Sequence, residues 1–253
     1  MKLRADNLTL TAGERVLCRD LSFEIAPGEL WGVLGCNGSG KTTLLHGLAG
    51  LAPYSGAILL GDRPLPDYSR RELGCRLGIL LQREDQDFWG SVRDYVMLGR
   101  YPHAQSWLGW GADDEAAGER ALAAFDLAAL ADRAYASLSG GERQRARLAQ
   151  LWAQSPPLML LDEPLQHLDL RHQLQTLEHL RAATRQGGAG AAVVLHDLTF
   201  ARRCDRILLL YGDGRHASGE AAELLQPALL AELYGCRIDA CGDGENAHFI
   251  PVI

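Results

Sequence analysis

Gly35-Cys36-Asn37-Gly38-Ser39-Gly40-Lys41-Thr42 combines the residue types and spacing that hold the phosphates of a nucleotide. Its glycines let successive backbone N–H groups converge on phosphate oxygens. The apolar run Leu30–Leu34 precedes it, and Thr43 to Ala49 reads as a helix whose N-terminal end favours an anion. In that strand–loop–helix setting Lys41 is placed to reach the β- and γ-phosphates, and Thr42 to set its hydroxyl on Mg²⁺. Gly35, Asn37, Gly38, Ser39, Gly40 and Thr43 complete the cradle. A second anion site is written in Leu138-Ser139-Gly140-Gly141-Glu142. There Ser139 is a good N-cap, and the paired glycines leave the first amides of the following helix open. A carboxylate pair, Asp162-Glu163, closes the apolar run Leu158-Met159-Leu160-Leu161.

Together these motifs resemble the ATP-binding subunit of an ABC transporter, and the resemblance covers essentially all 253 residues. Gly35 to Thr42 matches the family's Walker A loop, Leu138 to Glu142 its signature motif, and Leu158 to Glu163 its Walker B strand. Gln82 sits where the Q-loop glutamine belongs, Asp169 at the D-loop aspartate, and His196 of Leu195-His196-Asp197 at the switch histidine. Each motif is short; their joint occurrence in family order is specific.

The resemblance implies an ATPase that uses ATP with Mg²⁺. Asp162, Thr42 and Gln82 would hold the metal, and Glu163 would polarise the attacking water as general base. Lys41, Gln82 and His196 would meet the γ-phosphate and its developing charge. The resemblance further implies a homodimer in which Ser139, Gly140, Gly141 and Asp169 of one subunit complete the ATP site of the other. ATP would close that dimer and hydrolysis reopen it. Integral membrane permease subunits would dock within residues 82–110, with a substrate-binding protein as an indirect partner. The chain would then be peripheral, on the cytoplasmic face of the inner or plasma membrane. Leu98-Gly99-Arg100-Tyr101-Pro102-His103 and the segment Leu229 to Gly235 resemble the importer branch for iron-siderophores, haem and cobalamin. They report lineage rather than cargo contacts, and cobalamin stands beside a siderophore. An ABC subunit for another cargo is an alternative. So is a soluble ABC-type ATPase, which typically adds a long coiled coil or a second cassette; a P-loop kinase would lack Leu138 to Glu142.

The elements that must position these residues alternate between strand and helix. Leu3 to Ile25 reads as two strands joined at Ala12-Gly13-Glu14-Arg15, and Pro27-Gly28 as a turn. Short strands are predicted at 57–61, 76–82, 191–195 and 206–211, and an amphipathic helix over 170–185. Residues 114–136 read as helical, and Pro156-Pro157 breaks the helix that follows the signature motif. This pattern predicts an α/β fold: a P-loop NTPase core with a mostly parallel sheet, an N-terminal antiparallel β part and an inserted α-helical subdomain over 86–151. All of it fits one ATPase domain spanning 1–253.

With 47% hydrophobic residues the chain can bury a real core, and its net charge of −7 without a Lys/Arg block points away from nucleic acid as a partner. No apolar run approaches the roughly eighteen residues of a membrane span, and no signal-peptide pattern is read at the N-terminus. The six cysteines are scattered and expected to be reduced thiols. His167, His172 and His179 are expected on helix surfaces. Phe88, Trp89, Tyr95, Tyr101, Trp107 and Trp110 open the insert; the residues suggest a local core, the resemblance implies permease docking, and both readings stay open. Cys36 is a small filler or a reactive thiol at a helix N-terminus. Ala12 occupies the place where the family sets an adenine-stacking aromatic. Modest ATP affinity, weak discrimination from GTP and base contacts from Val16 or the Arg15 stem are therefore expected.

Overall fold

The computed structural model describes residues 1–82, 88–104, 109–242 and 248–252. It opens with a hairpin of β1 (Leu3–Ala12) and β2 (Arg15–Ile25), closed by Gly13 at φ +61° with Ala12 opposite Arg15. Leu3, Ala5, Leu8 and Leu10 turn inward, with Asn7 at positive φ where the register shifts. Then come β3 (Leu30–Leu34), α1 (Lys41–Leu48), β4 (Ser55–Leu60) and the short β5 (Arg63–Pro64). α2 (Arg70–Gly74) and β6 (Leu77–Leu80) lead to α3 (Val92–Met97), α4 (Ala112–Ala124) and α5 (Gly140–Gln154). β7 (Leu158–Leu161), α6 (Leu170–Arg185), β8 (Gly190–Val194), α7 (Leu198–Ala201) and β9 (Arg206–Leu210) complete the parallel part. β10 (His216–Glu220), α8 (Ala221–Leu224), α9 (Pro227–Tyr234) and the hairpin of β11 (Arg237–Cys241) and β12 (His248–Val252) finish the chain.

The six-stranded sheet has the order β10-β9-β3-β8-β7-β6, and only β10 runs antiparallel to its neighbour. Its central strands β3, β7 and β8 are buried along their whole length, as strands covered on both faces must be. A four-stranded antiparallel sheet, β2-β1-β4-β5, packs with α1 over one face. The helices α3 to α6 enclose the other core. Because β3, β6, β7 and β8 are parallel, their carboxyl ends lie along one edge. That edge delivers the phosphate loop, Gln82, Asp162-Glu163 and His196 to one place. No helix among the described residues is long and apolar enough to cross a membrane.

The predicted helix over 114–136 is shorter than its composition suggests. α4 ends at Ala124, and Asp126 adopts φ +53°. Arg145 of α5 donates to the carbonyls of Phe125 and Asp126, both at 2.8 Å, so a tertiary contact terminates the helix. Two 3₁₀ turns, Ala128–Leu130 and Tyr135–Ser137, carry the chain to Ser139. His179 also departs from expectation. Its Nε2 meets the Ala124 carbonyl at 2.7 Å, and its ring packs beside Phe125 and Trp152. The aromatics divide: Phe88 and Tyr95 form a core with Tyr135, the two tyrosines stacked at 4.0 Å. Trp89 is 92% exposed, Tyr101 is exposed with its ring against Trp110, and Trp107 lies outside the described residues.

Candidate nucleotide site

β3 ends at Leu34, and the loop beyond it is shaped by close approaches that only glycine allows. A Cβ on Gly35 would lie 2.4 Å from Ser39 Oγ and 2.5 Å from the Leu210 carbonyl. Gly40 sits at φ +102°, and a Cβ there would lie 2.9 Å from the Leu17 Cβ. It caps α1 without a side-chain hydrogen bond, and the first turn of that helix has no acidic residue. The leading amides of α1 are therefore left for an anion. Asn37, Gly38, Gly40, Lys41, Thr42 and Thr43 line a cleft of about 540 Å³. Gly35 and Ser39 do not line it; they brace the loop from beneath, with Ser39 N–H donating to the Cys36 carbonyl.

Lys41 is only 6% exposed, and its Nζ donates to the carbonyls of Gly35 (2.8 Å) and Cys36 (3.0 Å). Burial lowers its pKa, while the charges of Glu163 and Asp162 act the other way. Asp162, at the end of β7, is 2% exposed. Both its oxygens are sealed from solvent without a hydrogen bond of ordinary geometry, although the Thr42 hydroxyl lies close enough to pull the pKa down. Burial outweighs that pull and, with Glu163 beside it, raises the carboxyl above its usual range. An unpartnered buried carboxylate beside a hydroxyl is a donor set that fits a hard divalent cation.

Glu163 turns at φ +52° and points its carboxylate at two other predicted groups. Gln82 Nε2 donates to Oε2 at 3.1 Å, and His196 Nε2 lies 2.6 Å from Oε1. The expected metal role of Gln82 is thus not what its present bond serves; its amide is directed to Glu163. The four residues Lys41, Gln82, Glu163 and His196 all line the cleft.

Ser139, Gly140 and Asp169 are exposed, Gly141 is half-buried, and none of the four lines it. Ser139 caps α5 in a reciprocal box with Glu142, whose carboxylate accepts from the serine N–H (2.8 Å) and hydroxyl (2.7 Å). A Cβ on Gly141 would come 2.9 Å from the His167 carbonyl, whereas one on Gly140 would meet nothing within 4 Å. Nothing among the described residues requires glycine at 140. Asp169 caps α6 through the N–H of His172, and His172 Nδ1 sits 2.8 Å from the same oxygen.

Sequence reasoning missed two positioning residues and two cleft residues, Gln166 and Leu17. Buried Gln144 and Arg147 lie on the inward face of α5, one turn apart. Gln144 Nε2 donates to the Pro164 carbonyl (2.9 Å), and the Arg147 guanidinium reaches the Leu81 carbonyl and Gln144 Oε1 (2.9 Å). The helix thereby grips the residues adjoining Glu163 and Gln82. The available signal was two polar residues at i and i+3 on a face whose next members are Leu148 and Leu151. Gln166 also lines the cleft. At the outer end the wall is Ala12, Arg15 and Leu17 rather than Val16, and Arg15 is tied to the Gly212 carbonyl by Nε (3.0 Å) and a terminal nitrogen (2.7 Å). Cys36 is not in the wall; its Sγ donates to the Leu233 carbonyl at 3.1 Å.

Residues 18–166 match the model of the ABC transporter family. The chain is 41% identical to the hemin import ATP-binding protein HmuV of Pseudomonas fluorescens over 97% of both chains. It is 37% identical to the ferric enterobactin transport ATP-binding protein FepC of Escherichia coli, over 93% of this chain and 88% of that one. Among solved structures, an ABC transporter assigned to the metal-chelate type, in an inward-facing conformation, superposes with a TM-score of 0.84 at 28% identity, over 99% of this chain and 97% of that one. With the phosphate loop, the carboxylate pair and their partners converging as described, the chain belongs to the ABC transporter family, as its ATP-binding and ATP-hydrolysing subunit.

Proposed function

We propose that this protein is the ATPase subunit of an importer for an iron chelate, hemin or a ferric siderophore. The observation that carries the catalytic part is the convergence of Gln82 and His196 on Glu163, beside Lys41 and the sealed Asp162. Lys41 and the amides of Gly38, Gly40, Thr42 and Thr43 hold the phosphates, with Asn37 at the rim. Asp162 and Thr42, with the amide oxygen that Gln82 leaves free, would hold Mg²⁺, and that cation would neutralise phosphate charge when bound. Glu163 accepts a proton from water, and His196 and Gln82 keep its carboxylate aimed. One ATPase unit spans the chain, with the helical part over 86–151 presenting Ser139, Gly140 and Gly141 to a second copy. The unexplained glycine at 140 and the exposure of Asp169 support completion of the site in a homodimer that closes on ATP.

Permease subunits dock within residues 82–110, where Trp89 and Tyr101 stand in solvent, and hold the chain at the cytoplasmic face of the membrane. A substrate-binding protein supplies the cargo from the other side. The cargo reading rests on the relatives, which carry hemin and ferric enterobactin and leave the cobalamin expectation without support. The test is reconstitution in vesicles with the membrane subunits that co-purify with it, followed by uptake assays with hemin, ferric enterobactin and cobalamin. ATP-dependent uptake of one of the two iron chelates, lost in Glu163→Gln, is expected. Uptake of cobalamin alone would refute the cargo, and ATPase activity that no permease alters would refute the coupling.

A further inference from the structure

At the amino-terminal edge of the six-stranded sheet lies a second cavity, of about 670 Å³, which shares no lining residue with the nucleotide cleft. α6 contributes Arg181 and Arg185 to it, and the turn after α7 contributes Arg202 and Arg203. Among the described residues of its wall Asp205 and Glu220 are the acidic ones, so cations are in excess there on a chain of net charge −7. Asp205 is already engaged: Oδ1 accepts from Arg185 at 3.1 Å and Oδ2 from the Leu30 N–H at 2.9 Å. Arg185 stands in the last turn of α6, where the helix dipole favours a cation. Neither reason covers Arg181 and Arg203, whose guanidinium groups make no hydrogen bond or ion pair among the described residues.

Concave walls concentrate a positive potential, and guanidinium forks match the oxygens of phosphate groups. Part of the wall is apolar. Leu225, Pro227 and Phe249 form it, and the Arg202 guanidinium lies over the Phe249 ring at 5.8 Å. The floor is stiff, since Cys204 is buried and Asp205 fixes the first residue of β3. We propose that this cavity binds a small phosphate-bearing anion through Arg181, Arg202 and Arg203, at a site separate from that of ATP. β3 connects the two ends: Leu30 is held at the cavity and Leu34 leads into the phosphate loop.

The test is calorimetric titration of the full-length chain, with its cleft saturated beforehand by ADP. Inorganic pyrophosphate is the probe in one arm and a sugar monophosphate in the other. One added site per chain is expected. The double change Arg181→Gln with Arg203→Gln should weaken it at least about tenfold, since hydrogen bonds to charged groups are lost. Arg203→Lys, which keeps the charge without the fork, should fall between. ADP affinity and ATPase rate should stay as in the parent. Tighter pyrophosphate binding supports an inorganic occupant, and tighter sugar phosphate binding an organic one that uses the Phe249 wall. No added site in either arm overturns the proposal. So does undiminished binding in a double variant whose circular dichroism matches the parent.

Discussion

Asp162 is held where a charge is disfavoured. Burial, reinforced by Glu163, puts its carboxyl above the ordinary value of 3.8. Such a group binds a proton more readily in the folded chain than in the unfolded one. Stability is therefore lost as pH rises from that ordinary value through the raised one, and the loss persists at neutral pH. Asp162→Asn is expected to stabilise the nucleotide-free protein at neutral pH by about 1–2 kcal/mol, a few degrees in melting temperature. The same variant should lose the extra stabilisation that Mg²⁺ adds to ATP. A lower melting temperature than the parent would mean that the buried charge is not the dominant cost. Glu163→Gln keeps the bond from Gln82 in shape but removes the base. Hydrolysis should fall by about 10²–10⁴ while ATP still binds, measured as phosphate release against nucleotide affinity. Turnover at the parent rate would reassign the base.

The element that links these residues is α5. Its N-terminus, capped by Ser139, faces outward, while one turn further along Gln144 and Arg147 hold the backbone beside both Glu163 and Gln82. A tilt of this helix would move Glu163 and Gln82 together. Arg147→Met preserves much of the volume and deletes the donors. It should lower the maximal ATPase rate with little change in KM, and cost about 1–3 kcal/mol of stability as buried acceptors lose their partner. A raised KM at constant rate would place Arg147 in nucleotide binding instead. The contrast with Glu163 also shows what was legible. Strand ends and the capped starts of α5 and α6 were read to within a residue or two, because apolar runs and N-caps are local signals. The end of α4 was not, because Arg145 on another helix terminates it. The contact between Glu163 and His196 spans separate strands and is set by their parallel register. Arg147 escaped because a polar side chain on an inward helix face declares its partner only once the fold is closed. The hairpin β11–β12 escaped too, being short and mostly exposed along both strands.

For the molecule as a whole, the phosphate loop is made early in the chain and secured by its far end. Gly35 closes on the Leu210 carbonyl, Arg15 on Gly212 and Cys36 on Leu233, while β3 takes β9 as a neighbour. Cys36→Ala removes one neutral donor, and ATP affinity should fall about three- to tenfold, the worth of a single such bond. Affinity equal to the parent's would show that the loop keeps its form without this tie. Deleting residues 215–253 leaves every motif residue in place, yet should weaken ATP binding further and lower the melting temperature. The same long-range ties order events at birth. Residues 35–42 leave the ribosome well before residues 206–233, so the nascent chain carries the full phosphate-binding motif with nothing behind it. ATP finds a formed loop only once residues 206–233 have emerged and folded back on it.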